Sequence, residues 1–165
     1  MFRAMRRSRQ LLSQEKAAEI LQRNTSGTLA VLGDDDYPYA VPLSYVFADG
    51  KLYMHSAKTG HKIDAVRKHE KASFCVIDQD QVVPKEYTTY FRSVIAFGKI
   101  RLLEDEQQMR RAAETLAMKY SPEFSAGIPA SIDAAIGRMA ILEMTIDHMT
   151  AKEAIELVRE NKEEA

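Results

Sequence analysis

Cysteine is nearly absent. Cys75 stands alone in 165 residues, which excludes an internal disulfide and any metal site built from several thiolates. It lies in the apolar run ASFCVI and reads as a buried structural thiol. An excess of charge of one sign is also missing. Lys and Arg number 23 against 24 Asp and Glu, a formal net charge of −1, so nothing in the overall balance suits the chain to coating nucleic acid or an anionic membrane. Long hydrophobic runs are lacking too. The basic start MFRAMRRSRQLLSQ has no apolar stretch behind it, as a secretory signal would, and no segment approaches the length of a membrane span. The expectation is a cytoplasmic protein without nucleic-acid or membrane partners. No Rossmann-type glycine fingerprint occurs, and there is no internal repeat, low-complexity tract or linker.

What is present suffices for one core. Hydrophobic residues make up 45% and charged residues 28%, ordinary for a globular domain of this size. Ser13 can cap a helix over QEKAAEILQRN, in which Ala17, Ile20 and Leu21 recur at helical spacing. Residues 27–33 read as a short strand, and 39–48 as one strand apolar on both faces. Asp49 and Gly50 predict a hairpin, with KLYMHSA as the return strand. A short helix over 60–69 and a strand KASFCVID follow; 79–89 reads as a long connection, and 90–103 as a long strand. DEQQMRRAAETLAMKY is an amphipathic helix with Met109, Ala112, Leu116 and Met118 on or near one stripe. Beyond an irregular, partly helical stretch, 138–150 is a last strand, and the end reads as a helix with a frayed acidic tip. About six strands joined mostly by short turns predict a mostly β, mainly antiparallel barrel with peripheral helices. Its parts would be an N-terminal arm and helix (1–26), the barrel and its site (27–103), a helical insertion (104–137), and the last strand and helix (138–165).

Two features point to an anion site next to a flat ligand. Pro42 cannot donate to a ladder, so its strand is an edge or carries a bulge, and the backbone groups of Val41, Leu43 and Ser44 would need partners. A planar heterocycle with an imide-like edge would satisfy them. The stretch YMHSAKTGHKIDAVRKH then passes from strand to helix near Thr59 and Gly60, where unpaired amides and the helix dipole favour a phosphate. Gly60 lets a ligand approach the backbone. Ser56 and Thr59 add hydroxyls, and Lys58, His61 and Lys62 add charge. The spacing equally allows Ser56 or Thr59 to cap the helix with the lysines merely solvated. His55 and His61 have no third ligand at a recognised spacing, and no metal is expected.

These residues carry a resemblance. DDDYPYAVPLSYV, HSAKTGHKIDAV, ASFCVIDQDQVVPKEYTTYFRSVIAFGK and MFRAMRRSRQLLS together resemble the nitroimidazole-resistance family of the flavin-binding split-barrel superfamily, which also contains pyridoxamine 5′-phosphate oxidase. The likeness runs from the first residue to about Leu103 and returns in TIDHMTAKEA. It implies a homodimeric split barrel holding FMN at the subunit interface. Val41, Pro42, Leu43 and Ser44 would lie along the isoalloxazine, and His55, Ser56 and Ala57 would pass under the ring and ribityl chain. His61 and Lys62, aided by Ser56, would grip the phosphate, and Ser93 would reach the cofactor of the partner subunit. The oxidases use an arginine–lysine pair where this chain has His61 and Lys62, so His61 must be protonated or donate one neutral hydrogen bond.

The implied activity is a flavin-dependent reductase. A transient nicotinamide or other donor would supply electrons, and the acceptor would be a small molecule such as a nitroaromatic. His55 is the candidate catalytic proton donor, since histidine as a type changes charge near neutral pH; the alternative is that it only hydrogen-bonds the cofactor. Tyr39, Tyr45 and Tyr90 are candidates for the substrate cleft or for packing. Other readings are a non-catalytic FMN-binding or redox-sensing protein, or a barrel that binds haem or a deazaflavin. Arg3, Arg6, Arg7 and Arg9 could form a nucleic-acid arm, but the charge balance favours an arm that crosses to the partner and closes the cleft.

Overall fold

Ser13 caps α1 (Gln14–Arg23): its hydroxyl accepts the Lys16 N–H at 3.2 Å, and Ala17, Ile20 and Leu21 turn inward. In this computed structural model, which describes residues 2–163, seven strands follow. They are β1 (Ser26–Leu32), β2 (Pro38–Ser44), β3 (Val46–Ala48), β4 (Lys51–Ala57), β5 (Lys71–Val83), β6 (Thr88–Leu102) and β7 (Met139–Glu153). The further helices are α2 (His61–Lys68), α3 (Glu106–Tyr120), α4 (Ile128–Ala135) and α5 (Ile155–Glu163). The acidic tip expected to fray lies largely outside the described residues. All pairings are antiparallel, in the order β2-β1-β5-β6-β7-β4-β3.

The stretch 39–48 is not one strand. It breaks at Tyr45, and the two pieces lie on opposite edges of the sheet. The backbone itself therefore carries the sheet round into a barrel. Tyr45 drives the break, because its side chain is fully buried and its O–H donates to the Leu21 carbonyl at 2.8 Å. Burial pushes that hydroxyl's pKa above the ordinary tyrosine value. The stretch reads as apolar on both faces because small apolar residues, Ala40 and Pro42, occupy the outer face of β2. Asp49 and Gly50 form the expected hairpin turn between β3 and β4, both with positive φ (52° and 72°).

Residues 79–89 are also not a long connection. β5 runs on to Val83, a tight turn over Pro84–Glu86 follows, and β6 begins at Thr88. The strand continues through polar residues because of a bulge between Ile77 and Gln79. There the Asp78 carboxylate meets Arg23 at 2.5 Å, Asn24 at 2.8 Å and Arg92 at 3.4 Å. Burial disfavours its charge, but the hydrogen bonds from Arg23, Asn24 and Arg92 together with the Arg23 charge outweigh that and hold its pKa below the usual carboxylate range.

The apolar residues form two layers. The barrel interior packs Leu29, Leu52, Met54, Phe74, Val94 and Met144, with α1 and α2 contributing Ile20, Leu21, Ile63 and Val66. A second layer lies outside the barrel, where Ala112, Ala113 and Leu116 of α3 and Ile128 and Ile132 of α4 pack on Val46 and Ile141. Met118 is off this stripe and exposed. Cys75 is not a core thiol, because its neighbours Phe74 and Val76 take the inward positions and leave it half-buried on the outer face. Phe2 of the N-terminal arm stacks on His148 of the same chain, ring centres 4.7 Å apart, and sits beside Phe97.

Candidate functional site

The ladders fix which backbone groups are free. The Gly33 N–H donates to the Tyr37 carbonyl at 2.8 Å, and from that pair the register runs Val31↔Tyr39, Leu29↔Val41 and Gly27↔Leu43. Antiparallel pairs alternate between exchanging hydrogen bonds and not. Odd-numbered residues of β2 therefore bond β1, and Ala40, Pro42 and Ser44 turn their backbone groups outward from the sheet edge. The expectation for Ser44 fits this pattern. Val41 and Leu43 differ: their backbones are committed to β1 and their side chains pack against the barrel core. Pro42 loses nothing here, since its nitrogen faces away from the ladder.

The same alternation applies across the barrel. The Leu103 N–H donates to the Ile141 carbonyl at 2.9 Å, so Ile141 faces β6 while Ala140 and Leu142 face β4 and bond Ser56 and Met54. His55 and Ala57 then point the other way, beyond the end of β3, which pairs only with residues 51–53. Two free edges thus flank one seam: Ala40, Pro42 and Ser44 on β2, and His55 and Ala57 on β4. The side chains of Pro42, Ser44, His55 and Ala57 are all exposed on the outside.

Ser56 takes the opposite face from His55. It is 9% exposed and its hydroxyl accepts from the Lys62 ammonium at 2.7 Å. Lys62 belongs to α2, whose N-cap is Gly60 with no side-chain cap, so neither Ser56 nor Thr59 caps the helix. Gly60 has φ 122° and ψ 166°, a region essentially restricted to glycine. The first intrahelical bonds are those of the Ile63 and Asp64 amides to the Gly60 carbonyl, which leaves the His61 and Lys62 amides ahead of the ladder. The His61 side chain turns towards the β1–β2 turn. It stacks on Tyr39 with ring centres 4.1 Å apart, and Nε2 accepts the Asp34 N–H at 3.3 Å. Gly33 permits this, since a Cβ there would lie 2.8 Å from His61 Nε2. Asp34 also takes Lys68 at 3.2 Å, so an acid sits within the basic cluster. Ser93 is remote from the seam: it lies on the outer face of β6, between Ile77 of β5 and Lys152 of β7.

Beside the seam is a cavity of about 300 Å³. Ser44 and His55 form its seam side, Ala113, Ala117 and Tyr120 of α3 its wall, Ser131 of α4 its roof, and Met139 one end. Met139 also borders an adjoining groove of about 590 Å³ that carries Lys58, Arg67, Arg101 and Glu104. The Tyr120 hydroxyl pins this wall to the barrel. It accepts the Tyr45 N–H at 2.9 Å and lies within hydrogen-bond reach of the Tyr45 and Thr25 carbonyls. Its neighbour Lys119 donates to the Asn24 carbonyl at 2.5 Å over the Tyr45 ring, and burial lowers its pKa. Sequence reasoning missed Tyr120, because its partners are far away along the chain. Of the tyrosines it did consider, Tyr45 is core, Tyr39 stacks on His61, and Tyr90 bonds Glu86 at 2.9 Å on the projecting hairpin.

A flavin fits the donor set of the seam. The free edges offer N–H donors at Ala40, Ser44, His55 and Ala57 and carbonyl acceptors beside them, as an imide-edged ring requires. Lys62 and the leading amides of α2 suit a phosphate. His61 fits only through Nδ1, because Nε2 is occupied by the Asp34 amide.

Residues 13–153 match the family described as pyridoxamine 5′-phosphate oxidase. Among curated proteins nothing matches. Among solved structures, a Bacteroides thetaiotaomicron protein provisionally described as a 5-nitroimidazole antibiotic resistance protein is 20% identical, with a TM-score of 0.72 over 87% of this chain and 86% of that one. An FAD- and haem-binding protein from Mycobacterium smegmatis is 21% identical, with a TM-score of 0.75 over 86% and 71%. An FAD-binding protein from Mesorhizobium loti is 26% identical, with a TM-score of 0.63 over 87% and 96%. Among the described residues no helix is long and apolar enough to cross a membrane.

Proposed function

Because the chain belongs to the pyridoxamine 5′-phosphate oxidase family and has its flavin-binding split-barrel fold, we propose that it is an FMN-dependent oxidoreductase that reduces a small acceptor, a nitroaromatic such as a 5-nitroimidazole being the model substrate. The observation that carries this reading is the pair of free edges facing one seam, with Lys62 at its phosphate end. FMN supplies two-electron chemistry when bound. The backbone of Ala40, Ser44, His55 and Ala57 orients the ring, and Lys62 with the His61 and Lys62 amides neutralises the phosphate. His55 stands where seam and cavity meet and delivers a proton from its imidazole to the acceptor. A nicotinamide donor gives up one hydride per cycle; with one proton, this accounts for each two-electron step from nitro through nitroso and hydroxylamine to amine, the oxygens lost in the first and third steps leaving as water.

The working unit is a homodimer. Supporting this, Ile77, Val82, Ile95 and Phe97 share the outer face of β5 and β6 and are 64%, 67%, 40% and 38% exposed, apolar side chains that a docked partner would cover. Ser93 lies within that face, so a second copy docked there would bring it towards the other subunit's cofactor.

The test is the absorption spectrum of the protein as isolated, with mass spectrometry of whatever denaturation releases. FMN followed by reduction with NAD(P)H and reoxidation by a nitroimidazole upholds the proposal. A yellow protein that neither donor reduces nor acceptor reoxidises leaves a binding or sensing role. A Soret band would favour the haem reading, which the Mycobacterium smegmatis protein motivates.

A further inference from the structure

The helical insertion builds a chamber whose chemistry differs from that of its surroundings. Its wall is one face of α3, with Ala113 and Ala117 one turn apart and Tyr120 at the end. The two alanines make the space: any larger side chain on that face would project into it. Tyr120 is a fixed ring, since its hydroxyl is held by the Tyr45 amide. Arg110 ties α4 to α3 through Asp133 at 2.5 Å, which keeps Ser131 and Ile132 in place as the roof. The lining contains no lysine, arginine, aspartate or glutamate. The groove beyond Met139 has four charged residues.

From this contrast we infer that the chamber is the acceptor site, that it takes an uncharged, planar molecule of one or two rings, and that Ala113, Ala117 and Tyr120 set its selectivity. The inference rests on the proposed reductase reading and specifies its substrate class. The volume, about 300 Å³, is at the small end of ligand pockets. An anion entering it would lose part of its hydration and find no counter-charge in the lining. Ser44, Ser131 and the His55 imidazole are the polar contacts, enough to orient a neutral ring carrying hydrogen-bond acceptors. The ring would stack on Tyr120 and present its reducible group to the seam beside His55.

The test compares two probes that share one ring, 4-nitrobenzyl alcohol and 4-nitrobenzoate. Binding is read first, without turnover, from the Ala113 methyl signal of alanine-methyl-labelled protein, assigned with Ala113→Ser, because Ala113 lines the chamber and not the charged groove. The neutral probe should shift that signal, and the anionic one should bind about tenfold more weakly or worse. Ala117→Phe should weaken the neutral probe by about tenfold or more by filling the space, with flavin content unchanged. In steady state the wild type should show the same preference in kcat/KM. Equal binding of both probes, an unmoved Ala113 signal, or unchanged affinity in Ala117→Phe would overturn the inference. Because the wild-type comparison needs no variant and no turnover, a protein that binds the alcohol but never reduces it would sink the reductase reading alone.

Discussion

Lys62→Ala separates the two basic residues that the strand–helix junction presents together. The Lys62 ammonium is half-buried, 2.7 Å from the Ser56 hydroxyl and clear of any carboxylate partner among the described residues. His61 spends Nε2 on the Asp34 amide and its ring on Tyr39. A charge-assisted hydrogen bond to a phosphate contributes about 1.5–3 kcal/mol net. At about 1.4 kcal/mol per decade, removing Lys62 should weaken FMN binding by about 10- to 150-fold. His61→Ala removes at most one neutral contact through Nδ1, about 0.5–1.5 kcal/mol, and should weaken binding by less than about 15-fold. Arg159→Ala, on α5, should leave binding alone. The assay is quenching of flavin fluorescence on titration with flavin-free protein, with circular dichroism to confirm folding. If His61→Ala costs more than Lys62→Ala, or if both match Arg159→Ala, the phosphate does not sit at this junction.

Tyr120→Phe should destabilise the protein by about 1–3 kcal/mol in urea unfolding, since the Tyr45 amide loses its partner in a buried setting. The Asp78 and Glu143 carboxylates have folded pKa values below their ordinary ones. Their stabilisation is present above about pH 4 and lost as pH falls through the folded values; the urea midpoint should fall accordingly, and less steeply in Asp78→Asn. Ile95→Lys, placed in the exposed face of β6, should convert a dimer to a monomer in sedimentation equilibrium without unfolding it. Pro42→Val should leave stability within about 1 kcal/mol, because the N–H it restores points away from β1, while light scattering of the flavin-free protein rises.

The short apolar runs around Leu29 and Phe74 made the inner strands legible, and Ser13 marked the first helix start by chemistry that acts over three residues. The break at Tyr45 was hidden, because nothing local separates a strand that continues from one that crosses to the far edge. The decision is made by the Leu21 carbonyl, which receives the buried hydroxyl, and by the partners β1 and β4, all distant in the chain. The extension of β5 was hidden for a related reason. Asp78 reads as the polar end of a strand until Arg23, Asn24 and Arg92 are seen around it. At the candidate site, the sequence singled out short stretches but could not choose faces. In HSA, His55 and Ser56 are adjacent, yet one lines the cavity and the other meets Lys62. Val41 and Leu43 were misplaced because side-chain alternation and hydrogen-bond direction both have a period of two, and Pro42 alone does not reveal which phase faces β1.

The break at Tyr45 and the open seam have one cause. A barrel closed by hydrogen bonds leaves no edge; here the covalent chain makes the closing step, and the ladder does not follow it. β2 and the end of β4 therefore keep unpaired backbone groups over the length of the seam. Such edges invite pairing with another chain. Three features limit that risk. Pro38 and Pro42 remove two donors, both on the outward phase of β2. The seam is short. The insertion carrying α3 and α4 covers part of its outer side, held there by Tyr120. A ligand that brings donors and acceptors in a plane can satisfy the remaining groups without extending the sheet, because a ring has no further edge to pass on. On the proposed reading, the geometry that would otherwise be a hazard for aggregation would select flat, polar-edged molecules, and that selectivity would follow from the backbone before any side chain is considered.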